Sequence, residues 1–210
     1  MSGIERFCKK LSAFIGEELN LDKEKEAVVN YGVFALIQIF ISIGLVMIFG
    51  FLFGVLLEAL IASFTGSILR RTSGGVHATS PGKCAIIGTI VCVLAGIISK
   101  RSNISINIAI LMGIVIFIWG YIIIWIYAPV DSPAKPIKNK EKRRKLKKAS
   151  IVILTIYFVI ITFNITLFHL SRNSIFISYS LCMYFSIIWQ VFSLTKSAHY
   201  LLGSNKLLKE

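Results

Sequence analysis

Apolar residues run almost unbroken over 31–57, 105–127, 150–170 and 174–195, each close to the roughly 20 residues that a membrane-spanning helix needs. Two shorter apolar stretches, 58–70 and 84–99, are interrupted by small and polar side chains, among them Ala62, Ser63, Thr65, Gly66 and Ser67. Such residues let helix backbones approach closely, and their hydroxyls find partners inside a bundle rather than in lipid. Ahead of the first span, Ile4, Phe7, Cys8, Leu11, Phe14, Ile15 and Leu19 recur at helical spacing against Glu5, Lys9, Lys10, Glu17 and Glu18, which predicts an amphipathic interfacial helix. The pattern as a whole predicts an all-α polytopic membrane protein of about six membrane helices, four long and two short.

Composition agrees, since 56% of the residues are hydrophobic and only 16% charged, too apolar a balance for a soluble chain of this size. The first 27 residues are polar, so no cleavable signal peptide is expected. Residues 135–148, KPIKNKEKRRKLKK, hold nine of the 23 Lys and Arg, and the positive-inside tendency makes that stretch cytoplasmic. Six crossings then return both termini to the cytoplasm, with the turn Ser171 to Ser174 outside. Lys100 and Arg101 are the contrary charges on the outer side, relieved if their long side chains reach the headgroups. We therefore expect a single membrane domain over 1–210: a cytoplasmic arm (1–27), four membrane segments (31–127) enclosing a polar loop at 70–84, a basic cytoplasmic loop (128–149), a helical hairpin (150–195) and a cytoplasmic tail (196–210). The net charge of +13 is explained by this orientation and by anionic headgroups at the basic loop. It calls for no nucleic acid.

The polar loop, RRTSGGVHATSPGKC from Arg70 to Cys84, is where chemistry is expected. Ser80 is a favoured N-cap and Pro81 a favoured first helical residue, which puts Cys84 in the first or second turn of a helix. Unpaired amides there favour negative charge and hence the nucleophilic thiolate. His77 is the available partner, as imidazolium or as general base and then acid. On one continuous helix the two would be about 10 Å apart; Pro81-Gly82 breaks that geometry. Gly74 and Gly75 suit close docking of a peptide backbone or donation of amides to an oxyanion. The alternative is an ordinary polar loop in which Cys84 is a small hydrophobe and the glycines form turns. One His and one Cys make a metal site the weaker reading, and no cofactor is expected. The other cysteines, Cys8, Cys92 and Cys182, lie in apolar or amphipathic surroundings without framework spacing, so packing is their expected role.

Arg70, Gly74-Gly75-Val76-His77-Ala78 and Cys84, together with Ala128-Pro129-Val130-Asp131 leading into the basic stretch, resemble the accessory gene regulator B (AgrB) family of bacterial membranes. The resemblance spans almost the whole chain. It implies a membrane-embedded cysteine endopeptidase that cuts the C-terminal segment from an AgrD-like quorum-sensing propeptide through a thioester on the enzyme. An internal propeptide cysteine then closes a cyclic thiolactone. His77 and Cys84 match the family's catalytic pair, and Asp131 is a candidate orienter of His77. Arg70, Arg71, Lys83, Gly74, Gly75 and Gln38 are candidate substrate-binding or oxyanion groups, and the family together with the small-residue helices points to a homodimer. Elsewhere, Glu58 is expected to be solvated, and Asn164 and Gln190 to bond each other. A small peptide transporter or exporter without protease activity is the competing class, but a transport site is expected near the bilayer midplane, whereas the polar chemistry here clusters at one surface. A scaffold that recruits partners through the basic stretch explains the charge but not His77, Cys84 and the glycines.

Overall fold

The computed structural model describes residues 3–76, 81–130 and 139–201, and these are helical apart from short connections. The helices are α1 (Gly3–Glu18), α2 (Lys23–Leu52), α3 (Leu56–Ser73), α4 (Pro81–Arg101), α5 (Ile106–Tyr127), α6 (Lys140–Ser171), α7 (Ser174–Phe192) and a short α8 (Lys196–Leu201). Five of them, α2, α4, α5, α6 and α7, are long and apolar enough to cross a membrane. The chain is a polytopic helical membrane protein, as its apolar pattern predicts. The short run expected at 84–99 is extended at both ends by α4. By contrast α3, with Glu58, Arg70 and Arg71 at its ends, is not among the five.

The chain divides into two compact units, Met1–Gly44 and Leu45–Glu210. In the first, α1 is amphipathic as expected, burying Cys8 and Ser12 while Phe7 and Phe14 stay exposed. Asp22 starts α2 by accepting a hydrogen bond from the Lys25 amide at 2.8 Å, and that bond together with the Lys25 side chain lowers the Asp22 pKa.

In the second unit α7 is the central helix, packed by α3, α4, α5 and α6. Leu181, Tyr184, Ile187 and Val191 of α7 join Leu69, Ile124, Leu154 and Ile161 in the main apolar core. Where α7 meets α3 and α4, small residues replace large ones. Ser186 donates to the Ala62 carbonyl at 2.6 Å and Ser178 to the Ser99 carbonyl at 3.2 Å, and Ala62, Ala95 and Cys182 pack together beside them. Tyr157 of α6 donates to the Thr65 carbonyl at 2.9 Å. Segment 58–70 is thus protein-packed, as its small residues predict. A bilayer offers no hydrophobic gain for helix association, so close approach and these interhelical bonds supply it.

Two expectations are corrected. Glu58 is buried in the first turn of α3, 7% exposed, not solvated at a span end. Its carboxylate lies 3.8 Å from Lys100, whose ammonium also donates to the Gly54 carbonyl at 2.6 Å. Two protein groups therefore help to answer the charge of Lys100, which stays half exposed. The second correction concerns the basic stretch: residues 140–149 form the first turns of α6, continuous with its span. Lys, Arg, Glu and Leu all favour helix, the Asn139 side chain caps the Glu141 and Lys142 amides at 2.8 and 3.2 Å, and Glu141 pairs with Lys145 at 2.7 Å. From Lys140 onward the charges are carried on a helix.

Candidate active site

α3 ends where Gly74 turns the chain with φ 71° and ψ −149°, a region essentially closed to residues with a Cβ. Its amide still bonds to the Arg70 carbonyl at 2.9 Å, and from there Gly74–Val76 runs non-helically across the end of the second unit. On one side lies the segment after α5: Gly74 and Val130 form an isolated parallel bridge, and the Val130 amide donates to the Ser73 carbonyl at 2.9 Å. On the other lies the end of α7, where the Val76 amide donates to the Ser193 carbonyl at 3.0 Å. A Cβ on Gly74 would collide with the Val130 carbonyl oxygen, and one on Gly75, whose φ is 136°, would lie 2.5 Å from Ser193 Oγ. The unusual backbone angles expected at these two glycines are present. Their freedom is used to let the protein's own backbone and Ser193 come close.

Gln190 ties this arrangement together from α7. Its Nε2 donates to Ser73 Oγ at 3.0 Å and to the Gly74 carbonyl at 2.8 Å. Its Oε1 accepts from Arg70 Nη1 at 3.5 Å and from Ser193 Oγ at 3.4 Å. The predicted bond between Asn164 and Gln190 is replaced by these, because the end of α7 faces α3 and the Gly74 segment. Arg70, partly buried, donates through Nη2 to the Val76 carbonyl and so spans the turn it precedes.

Cys84 is the fourth residue of α4, which begins at Pro81 as predicted. It is free and partly buried. The structure thus places the candidate nucleophile at a helix start. Arg71 and Lys83 are exposed. Gln38 belongs to α2 in the first unit, with its own interaction there or elsewhere. His77, Ser80 and Asp131 lie outside the described residues, as does the structure of the loop between Val76 and Pro81.

The basic start of α6 flanks the same end of the unit. Arg143 Nη2 donates to the Pro129 carbonyl at 3.4 Å, Ser150 Oγ donates to Thr72 Oγ1 at 3.0 Å, and Lys147 sits 4.9 Å above the Trp125 ring. Among the described residues no group of three or more His, Cys, Asp or Glu side chains could hold a metal ion. Sequence reasoning missed Gln190, Ser193 and Ser73 as members of this region. The available signal was an amide side chain in the last turn of an apolar helix, a costly placement that asks for a polar partner nearby.

The family described as accessory gene regulator B matches residues 8–194. A Clostridium perfringens (strain 13 / Type A) protein whose name marks it only as AgrB-like is 40% identical over 213 residues, covering 98% of this chain and 100% of the relative. A similarly named protein of Clostridium perfringens (strain SM101 / Type A) is 41% identical over the same span, and one from Listeria innocua serovar 6a is 30% identical over 131 residues, 62% of each chain. No solved structure matches.

Proposed function

The chain belongs to the accessory gene regulator B family, which has its role in agr quorum sensing, and from that premise we propose that it is a membrane-embedded cysteine endopeptidase and cyclase. Family membership implies an AgrD-like propeptide as substrate. Cys84 is the nucleophile and His77 its general base. The observation that carries this reading is the position of Cys84, in the opening turns of α4. A helix start is one of the settings in which reactive cysteines occur.

In the proposed reaction the Cys84 thiolate attacks the scissile carbonyl carbon, and the oxyanion collapses with cleavage of the C–N bond. His77, carrying the proton it took from the thiol, gives it to the departing amine. The product is a thioester between Cys84 and the propeptide. An internal propeptide cysteine, as thiolate, then displaces Cys84 and leaves a thiolactone. Exchange of one thioester for another is near balance, so the site has to keep water out. The membrane surface does so in this account, with the catalytic end facing the cytoplasm on the side of the basic start of α6. The role of Asp131 as orienter of His77 is supported by covalent connection: Gly74–Val76 and Ala128–Val130, which run directly into those two residues, lie side by side.

Co-expression with the propeptide from the neighbouring reading frame, followed by mass spectrometry, tests the proposal. Truncated or thiolactone product is expected with the wild type and absent with Cys84→Ala. An intact propeptide with both proteins would remove the enzyme reading and make transport the leading one.

A further inference from the structure

We propose that Gln190 is a positioning residue for this reaction: from α7 it holds both the Arg70 guanidinium and the Gly74 carbonyl, fixing the backbone that leads to the catalytic loop. The inference rests on the peptidase reading for its catalytic consequence, but its geometry stands independently. Gln190 is 2% exposed, and the side-chain amide uses both faces of its chemistry. The amino group donates to Ser73 and Gly74, and the carbonyl oxygen accepts from Arg70 and Ser193. A buried amide with this many partners has one orientation, because flipping it would set a donor against the guanidinium and an acceptor against the Gly74 carbonyl.

Every partner of Gln190 except Ser193 lies on Arg70–Gly74, and Ser193 in turn accepts the Val76 amide through its carbonyl. Arg70 bonds the Val76 carbonyl as well, so Val76 is held at both its amide and its carbonyl. Gln190 thus links α7, the central helix of the second unit, to Arg70 and to the three residues before the loop. Removing its amide leaves a guanidinium and a backbone carbonyl short of a buried partner, and each relaxes by moving. Displacements of about 1 Å at positions remote from the bond being broken are enough to cost about 100-fold in rate.

The test uses full-length protein in lipid vesicles with the neighbouring-frame propeptide as probe, comparing wild type, Gln190→Leu and Gln190→Glu. Gln190→Glu is close in volume and keeps an acceptor for Arg70, so it covers the case in which Gln190→Leu fails to fold. Its carboxylate neutralises Arg70 and cannot donate to Gly74. Two quantities are read: kcat and KM for cleavage, and the rate of Cys84 alkylation by iodoacetamide at pH 7, located by peptide mapping. The expected result is a fall in kcat of about 100-fold with KM within about twofold of wild type, together with slower Cys84 alkylation in both variants. A loss confined to KM, or kcat and alkylation both at wild-type values, overturns the proposal. If the wild type does not cleave the propeptide, the peptidase reading fails. The alkylation rates still decide whether Gln190 sets the surroundings of Cys84.

Discussion

Substituting Gly74 by Ala isolates what the backbone crossing after α3 contributes. At φ 71° and ψ −149° a residue with a Cβ costs about 1–3 kcal/mol of backbone strain. The added methyl also meets the Val130 carbonyl oxygen, a backbone atom that cannot swing aside as a side chain does. Relief requires the Val130 segment to separate from Ser73–Gly74, losing the Val130 amide to Ser73 carbonyl bond at about 1 kcal/mol. Together the cost is about 2–4 kcal/mol. Because the crossing joins segments that follow the ends of α3, α5 and α7, we expect the cost to appear as local displacement. Cleavage in vesicles should fall by more than 10-fold while the helical content by circular dichroism is kept. Gly88→Ala is the control: Gly88 lies within α4, has nothing within 4 Å of a built Cβ and has no positive φ, so alanine there is neutral or stabilising by up to about 1 kcal/mol. Wild-type cleavage by Gly74→Ala would refute the claim that this glycine is required by the approach of Val130.

Other consequences are open to direct measurement. Neutralising Arg143, Arg144 and Lys145 together should weaken propeptide cleavage more at low salt than at high, measured as KM across ionic strength; an equal loss at all salt concentrations would exclude electrostatic attraction. Lys100→Met should lower thermal stability in detergent more than Glu58→Gln, by about 1–2 kcal/mol, because it leaves the buried carboxylate without its cation. The double variant should recover most of the difference, and additive losses would show that the pair is not coupled. Asn139→Ala removes the cap of α6 and should cost its first turn about 1 kcal/mol, seen as faster hydrogen exchange at the Glu141 and Lys142 amides without change in the rest of α6.

Much of this architecture was legible because membrane helices must bury all their backbone polar groups internally, so long apolar runs have few alternatives. The small residues at 62–67 marked α3 as protein-packed, and Pro81 marked the start of α4 ahead of Cys84. Helix ends were less legible. The charge of the Lys- and Arg-rich stretch predicts a loop, yet its residues are good helix formers with Asn139 as cap, and nothing in the charge alone distinguishes a solvated helix from a solvated loop. Polar partnerships were the least legible. Glu58 and Lys100 are 42 residues apart, and Gln190 meets Arg70 across 120 residues, through helix packing that periodicity does not specify. The two glycines showed that an unusual backbone was needed at 74–75 but not what would fill the space beside it.

The most direct test of the central claim is to trap the acyl-enzyme. A propeptide whose internal cysteine is replaced by alanine cannot close the ring, so the thioester on the protein should accumulate and be lost on treatment with hydroxylamine. Intact-protein and peptide mass spectrometry should then place the propeptide fragment on Cys84, with no such adduct on Cys84→Ala. Cleavage of the propeptide without an adduct, or cleavage by Cys84→Ala itself, would contradict the account.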